Sequence, residues 1–303
     1  MSSILCIGDS MMDISTIIES DTHFEGDTSA SITTQGGGAA ANVATWLAHL
    51  GEDAYLVSRI GDDAHGDALQ KEFNQYGVRH SGVKHPDEKT GIVVILVSPN
   101  GERTMFPDSG SNSKLSASDL PSLEGFAAAY ISGYPLINPR SRTNLLAMID
   151  QLKSAGITLI IDPGTVGVLQ KIPFQTIYEW LALFDVVILN ESEALFISQK
   201  SELEAALTML AAITPVVVVK RGSAGSASIY EKNVITYMPV EKVDALDTTG
   251  AGDAFTAGFI SEWLRSKEID SAMKVGGANG RLCIQSIGAR PPLRAIGKGK
   301  QEP

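Results

Sequence analysis

Positive charge, cysteine and long apolar runs are all in short supply in this 303-residue chain. Lys and Arg total 24 against 35 Asp and Glu, a formal net charge of -11. Such a balance argues against a partner whose phosphate backbone must be neutralised by clustered cations, so no nucleic acid is expected. The one basic run, Arg294 to Lys300, is a Gly- and Lys-rich tail of the kind that is more often disordered than binding. The 2 cysteines, Cys6 and Cys283, stand far apart in separate apolar segments. That excludes a disulfide scaffold or a cysteine metal site and suits buried free thiols in a reducing compartment. No stretch approaches the roughly 20 apolar residues of a membrane span. Met1 to Leu5 lacks the basic flank of a signal peptide, so a cytoplasmic protein without a membrane partner is expected. Internal repeats and low-complexity linkers are absent. Gly36-Gly37-Gly38 is not a Gly-x-Gly-x-x-Gly following the first apolar run, which argues against a dinucleotide-binding dehydrogenase.

What is present is an alternation. Hydrophobic residues make up 44% and charged residues 19%, globular values for one large domain or one domain with an appendage. Apolar runs of strand length at Ile4 to Ile7, Ala54 to Val57, Ala128 to Ser132, Thr158 to Asp162, Val186 to Leu189 and Val216 to Val219 alternate with helical patterns. This predicts an α/β fold with a mostly parallel sheet covered by helices on both faces. Asn138-Pro139 reads as an N-cap followed by proline at the first helical position, with the helix stopping at Gly156. Two segments break the pattern. Residues 14–34 and 90–107 are extended stretches with no helix inside them, the second a hairpin turning at Ser98-Pro99-Asn100-Gly101. They predict a small discontinuous β-sheet, a lid across the carboxyl edge of a core formed by 1–13, 35–89 and 108–303, where ligands bind in open α/β folds.

Residues 247–255, Asp-Thr-Thr-Gly-Ala-Gly-Asp-Ala-Phe, carry the most chemistry. Gly250 and Gly252 lead into the apolar helical pattern of Phe255, Phe259, Ile260, Trp263 and Leu264, so a glycine turn delivers a helix N-terminus. Its first N–H groups lack intrahelical partners and sit at the positive end of the helix dipole, a site for an anion. Asp253 is out of keeping with a resting phosphate. It is either an N-cap or a base that takes the proton of a hydroxyl attacking a phosphoryl group.

This stretch resembles the C-terminal signature of the ribokinase-like (PfkB) family of carbohydrate and nucleoside kinases. A second match is Gly36-Gly37-Gly38-Ala39-Ala40-Ala41-Asn42, followed by the helical pattern Val43, Trp46, Leu47 and Leu50 and a terminating Gly51, which looks like the family's sugar-binding glycine turn. The resemblance spans essentially the whole chain. It implies a ribokinase-like three-layer α/β/α sandwich with a small β-sheet lid, ATP and Mg²⁺ as cofactors, K⁺ as a further candidate, and a sugar as acceptor. It also implies Asp253 as general base and an anion hole from Gly250, Ala251 and Gly252. The lid would close over the sugar and offer a homodimer contact. A nucleoside kinase on the same scaffold and a non-catalytic sugar-binding homologue are the rivals.

Other residues gain roles in this light. Asp13, at the end of the first strand-loop unit, can accept two hydroxyl protons from a polyol and matches the family's sugar-binding aspartate; read alone it is a turn residue, and Asp9 competes with it. Gly37 and Gly38 permit close backbone approach, and Asn42 offers a donor and an acceptor or merely caps a helix. Arg103 on the lid hairpin reaches a substrate oxygen or is a solvated edge charge. Asn112, in Gly110-Ser111-Asn112, resembles the family's Gly-Ala-Asn after the lid and is assigned to substrate. Asn190 and Glu193 have the spacing of the family's Mg²⁺ and phosphate motif, Glu193 acting through water, although the same spacing makes a capping box. Lys220, Gly222 and Gly225 follow a buried strand and suit a nucleotide phosphate or ribose. Asn279, beside Gly277 and Ala278, suits an adenine or tight helix packing. Asp247, with carbonyls near Thr249 and Ile287-Gly288-Ala289, is the candidate site for a monovalent cation implied by the resemblance. Two positions depart from ribokinase itself: Ser132 stands where an acidic sugar contact is found, and Ala39 where a lysine is found.

Overall fold

The structure is a computed structural model that describes residues 3–18, 22, 25–98, 102–230 and 234–293. In chain order the elements are β1 (Ser3–Ile7), β2 (Met11–Ile18), β3 (Ala30–Gly37), α1 (Ala39–Leu50), β4 (Ala54–Val57), β5 (Ile60–Gly61), α2 (Ala64–Tyr76), β6 (Arg79–His80), β7 (Lys84–His85), β8 (Gly91–Val97) and β9 (Arg103–Asp108). There follow β10 (Phe126–Ser132), α3 (Tyr134–Ile137), α4 (Arg142–Ser154), β11 (Thr158–Asp162), α5 (Val166–Leu169), α6 (Phe174–Leu181), β12 (Val186–Asn190), α7 (Glu191–Ser198) and α8 (Leu203–Ala211). The chain closes with β13 (Val216–Lys220), β14 (Ser226–Tyr230), β15 (Val234–Met238), α9 (Ala251–Ser266) and α10 (Ile269–Cys283).

Nine strands form the large sheet in the order β15-β14-β13-β12-β11-β10-β1-β4-β6. From β13 to β6 all pairs are parallel, and β14 and β15 add an antiparallel edge. Parallel strands buried on both faces read as unbroken apolar runs, which is why Val216 to Val219 is four valines. Alternate residues go to opposite faces. Cys6, Tyr130, Ile188 and Val218 pack with α1, α2, α9 and α10, while Leu5, Ile131, Val187 and Val217 pack with α4, α6, α7 and α8. The expected three layers are therefore present. Both cysteines are free and buried.

The small sheet has the order β3-β2-β8-β9, with β2 and β8 parallel and the outer pairs antiparallel. Its boundaries differ from the expected 14–34 and 90–107, because Met11 to Asp13 and Gln35 to Gly37 pair across β2 and β3. Asp13 and Gly37 thus belong to the small sheet, while Gly38 caps α1 and Asn42 lies within it. Cross-strand partners share a face. Asp13 aligns with Gln35 and Val93, and Ile17 with Val97 and so with Arg103, which puts Asp13 and Arg103 on one face. The other face carries Ile14, Val94 and Phe106, with Ile32 and Leu96. Ser98 N–H donates to Glu102 O at 2.9 Å; Pro99 to Gly101 of that turn, Glu19 and the basic tail lie outside the described residues.

One helix start is corrected. Asn138 does not cap α4. It ends α3, and its Oδ1 accepts Arg140 N–H at 3.0 Å, so Pro139 and Arg140 form a turn and the helix begins at Arg142. Asn favours such turns as strongly as caps, so the dipeptide alone marks a boundary without giving its register.

The segment after α10 returns to the start of the chain. Trp46 of α1, fully buried, donates Nε1–H to Ala289 O at 2.9 Å. Trp46→Phe keeps most of the packing and leaves that buried carbonyl unpaired. It is expected to lower stability by about 1–3 kcal/mol in urea denaturation.

Candidate active site

Five adjacent strands of the large sheet bring polar side chains to one edge. Asp9 follows β1, Ser132 ends β10, Asp162 ends β11, Asn190 ends β12 and Lys220 ends β13. The chain leaves β1 for β4 on one side and later returns through β10 on the other, the switch point at which open α/β sheets leave a crevice. There Ser132 Oγ donates to Asp9 Oδ1 at 2.9 Å, and Asp9 Oδ2 accepts Ala39 N–H at 3.2 Å. Asp9 therefore ties the crevice to the start of α1, and Asp13 is the carboxylate left facing it.

Asp13 is 7% exposed, and its carboxyl is pushed up to about 7 by burial, with the charge of Arg290 working the other way. A Cβ on Gly37 would stand 2.3 Å from that carboxylate, so only glycine fits beside it. Gly38 has φ +93° and a Cβ there would meet Asp9 O at 2.6 Å. The glycines of this turn make room for two aspartates.

Asn42, one turn into α1, donates Nδ2–H to Asp253 Oδ2 at 2.8 Å, across 211 residues of sequence. The two glycine motifs meet at this bond. Asp253 lies in the first turn of α9 behind Gly250, which must be glycine because its φ is +76° and a Cβ there would stand 2.5 Å from Ala289 Cα. Burial pushes the Asp253 carboxyl up to about 7, opposed by the Asn42 bond and the charge of Lys220. Of the three amides assigned to the anion hole, that of Ala251 donates to Thr248 O at 3.3 Å and closes the turn. Gly250, the N-cap, and Gly252 flank it in the same turn.

Lys220 sits beneath this turn. Its Nζ is 2.6 Å from Asp162 Oδ2 and 3.3 Å from where a Cβ on Gly252 would stand. Burial works against its charge, but Asp162 and Glu193 outweigh that and raise its pKa. Asn190 and Glu193 form a reciprocal capping box: Asn190 N–H donates to Glu193 Oε2 at 2.8 Å and Glu193 N–H to Asn190 Oδ1 at 2.9 Å. The Glu193 carboxyl, 3% exposed, is pushed up to about 7, first by burial and then by the Asp162 charge. The cap and a place beside Asp162 are thus properties of the same residues.

Several candidates are engaged elsewhere. Arg103 reaches across from β9 and donates to Asp247 Oδ1 at 2.6 Å and to the Thr249 hydroxyl. The Asp247 Oδ1 also accepts Thr249 N–H at 2.9 Å, and Oδ2 accepts Gly288 N–H at 3.0 Å. Burial would raise the Asp247 carboxyl; the bonds from Thr249, Gly288 and Arg103 hold it down at about 2. Its charge is balanced by a guanidinium. Of the nearby carbonyls, Thr249 O accepts from the Cys283 thiol at 3.3 Å and Ala289 O from Trp46. The Asn112 amide contacts backbone at Ser10, Arg59 and Ser109 and holds the loop between Asp9 and Asp13 in place. Gly225 is required by β15, since a Cβ would meet Met238 O at 2.1 Å, whereas Gly222 opens on space. The Asn279 amide abuts Gly258 in the α9–α10 interface, and its Nδ2 has no partner among the described residues.

Sequence reasoning overlooked Asp162 and Arg290. Asp162 obeys the rule applied to Asp13, a carboxylate at the carboxyl end of a parallel strand, and was open to the same argument. Arg290 carried no local signal; its partners Gly37 and Asn42 lie 253 and 248 residues away.

Similarity to known proteins runs along almost the whole chain. The family model for pfkB family carbohydrate kinases matches residues 1–296. The chain is 32% identical over 270 residues to an ATP-dependent ribose-1-phosphate kinase of Halopiger xanaduensis, covering 88% of this chain and 87% of that one. It is 28% identical over 306 residues to a fructokinase of Vibrio alginolyticus, covering 97% and 96%. The structure of Arabidopsis thaliana ribokinase complexed with ribose and ATP superposes with a TM-score of 0.82 at 25% identity, over 96% of each chain. With a match from residue 1 to residue 296 over this ribokinase-like fold and its polar edge, the chain belongs to the PfkB family of carbohydrate kinases.

Proposed function

We propose that this protein transfers the terminal phosphoryl group of ATP to a hydroxymethyl group of a sugar or sugar derivative, with Asp253 as the general base. The observation that carries the reading is the Asn42 to Asp253 bond of 2.8 Å, which joins the sugar-side glycine turn to the anion turn. Asp13 and the backbone of Gly37 and Gly38 bind and orient the acceptor. Asp253 takes the proton from the acceptor hydroxyl as its oxygen forms the new bond to phosphorus and the bond to the nucleotide's bridging oxygen breaks. The N–H groups of Gly250 and Gly252, with Lys220 beneath them, stabilise the charge on the transferred group. The small sheet, with Asp13 and Arg103 on one face, acts as a lid that excludes water from the crevice.

ATP is supported by the relatives, and Mg²⁺ by the donor set. Asp162 and Glu193 are two carboxylates close enough for one to raise the pKa of the other. Among the described residues no group of three or more His, Cys, Asp or Glu could hold a metal. The ion would therefore take its remaining ligands from phosphates and water, as Mg²⁺ does in nucleotide sites. When bound it supplies neutralisation of phosphate charge. The outer face of the small sheet leaves Ile32 63% and Phe106 54% exposed beside Ile14, Val94 and Leu96, which supports a homodimer through that face.

A panel of ribose, fructose, ribose 1-phosphate, other sugars and nucleosides, read by ADP release, tests the substrate class. A sugar or sugar phosphate is expected to be preferred; a strong preference for a nucleoside, or no acceptor-dependent ADP release, would overturn the reading. Asp253→Asn is expected to lower kcat by about 10² to 10⁴, the range for a lost general base, with nucleotide binding retained. A group with its pKa raised to about 7 is protonated below that pH and cannot accept a proton. kcat/KM should therefore rise with pH through an inflection near 7 to which the neighbouring carboxyls Asp13 and Glu193 also contribute, and a flat profile through the acid range would contradict the assignment. Light scattering after size exclusion is expected to give twice the chain mass, and Phe106→Lys the monomer.

A further inference from the structure

Asn42 stands between a carboxylate and a guanidinium. Its Nδ2 donates to Asp253 Oδ2 at 2.8 Å, and its Oδ1 accepts Arg290 Nε–H at 3.4 Å. A carboxylate only accepts and a guanidinium only donates, so one orientation of the amide satisfies both neighbours and the flipped one satisfies neither.

Arg290 is itself fixed on every side. Its side chain is 4% exposed, Nη1 lies 2.7 Å from Glu72 of α2, and Nη2 donates to Gly37 O at 3.0 Å. The guanidinium carbon lies 5.3 Å from the centre of the Phe73 ring, within cation–π reach. It occupies the space a side chain at Gly36 would need, since a Cβ there would stand 2.1 Å from Nη1 and 2.3 Å from Glu72 Oε2. The residues just before it are tied down as well. Gly288 N–H donates to Asp247 and Ala289 O accepts from Trp46, so Arg290 has little freedom to follow a moving partner.

We propose that Arg290 is a positioning residue for phosphoryl transfer: through Asn42 it fixes which oxygen of Asp253 is occupied and leaves Oδ1 to receive the proton of the acceptor hydroxyl. The inference rests on the reading of Asp253 as the base. Without Arg290, Asn42 Oδ1 loses its guanidinium donor, and only the bond to Asp253 itself holds the amide in its orientation. The donor to the base is then fixed from one side only, and its aim loosens. The same guanidinium bonds Gly37 O and places positive charge near Asp13, so it spans the acceptor side and the base side of the crevice.

Arg290→Met keeps the length of the side chain and its packing on Phe73 while removing every donor. It is expected to lower kcat by about 10- to 100-fold, the range for losing the group that orients a reacting residue, with KM for ATP unchanged. The decisive arm is the double variant. In an Asp253→Asn background, Arg290→Met is expected to cost no further kcat, because residues acting as one unit are not additive. Losses that multiply in the double variant, or an unchanged kcat in Arg290→Met alone, would overturn the proposal. Should Arg290→Met fail to fold with Glu72 left unpaired, Asn42→Leu breaks the relay from the other side with the Arg290–Glu72 pair intact. The same loss and the same lack of additivity are then expected, and multiplicative losses overturn it. Near-normal kcat in Asp253→Asn alone would instead sink the base assignment, a separate outcome from failure of the relay.

Discussion

Negative charge held away from water is the constraint around which this molecule's active edge is arranged. Asp9, Asp13, Glu193 and Asp253 all have carboxyl pKa values raised by burial, and Asp162 lies among them. Placing so many carboxylates together is costly unless they share cations, protons or donors. Two cations are supplied by the chain, Lys220 against Asp162 and Arg290 against Glu72. Two amide and hydroxyl donors, from Asn42 and Ser132, serve Asp253 and Asp9. The remaining demand at Asp13 and around Glu193 is for hydrogen-bond donors and positive charge, which in the proposed reaction a polyhydroxy acceptor and a nucleotide-bound Mg²⁺ would bring. The same crowding raises the Asp253 carboxyl to about 7, which in the proposed reaction brings the base nearer the range where general-base catalysis is most efficient.

Glycine has a specific part in that arrangement. At Gly37 and Gly38 the absent Cβ makes room for Asp13 and for the backbone of Asp9, and at Gly250 it makes room for Ala289. The stretch 288–290 then links both turns, with Gly288 on Asp247, Ala289 on Trp46 of α1, and Arg290 on Gly37 and Asn42. These three residues therefore bind both glycine turns, at 37–42 and at 247–253, to one stretch of backbone.

The strands of the large sheet were legible because burial on both faces demands unbroken apolar runs, as at Val216 to Val219. Helix ends marked by glycine, such as Gly51, followed from the left-handed conformation that closes a helix. The residues 247–255 were legible because glycine spacing and a helix start are local facts. What could not be read was pairing across the fold. Arg103 looked like an edge charge or a substrate contact until β9 was seen to carry it to Asp247, and Asn112 looked like a ligand contact until its amide was seen to bind backbone. The register of β2 against β3 likewise moved Asp13 and Gly37 out of the core, because a strand's partner fixes where a sheet begins more than its own composition does.

That last shift bears on how the reaction would be organised. Asp13 and Arg103 lie on one face of a single four-stranded sheet, Asp13 on β2 beside the acceptor turn and Arg103 on β9 against the anion turn. Hydrogen-bonded strands move together, so in the proposed reaction a substrate that drew Asp13 inward would carry Arg103 with it. In the proposed reaction, acceptor recognition and the closing of the anion turn are then one rigid-body event. The pairing of Arg103 with Asp247 gives that event a charge-assisted contact at its far end. On that reading the sheet does more than exclude water, since it also carries one half of the ion pair to Asp247, whose carboxylate the Thr249 and Gly288 amides hold as well.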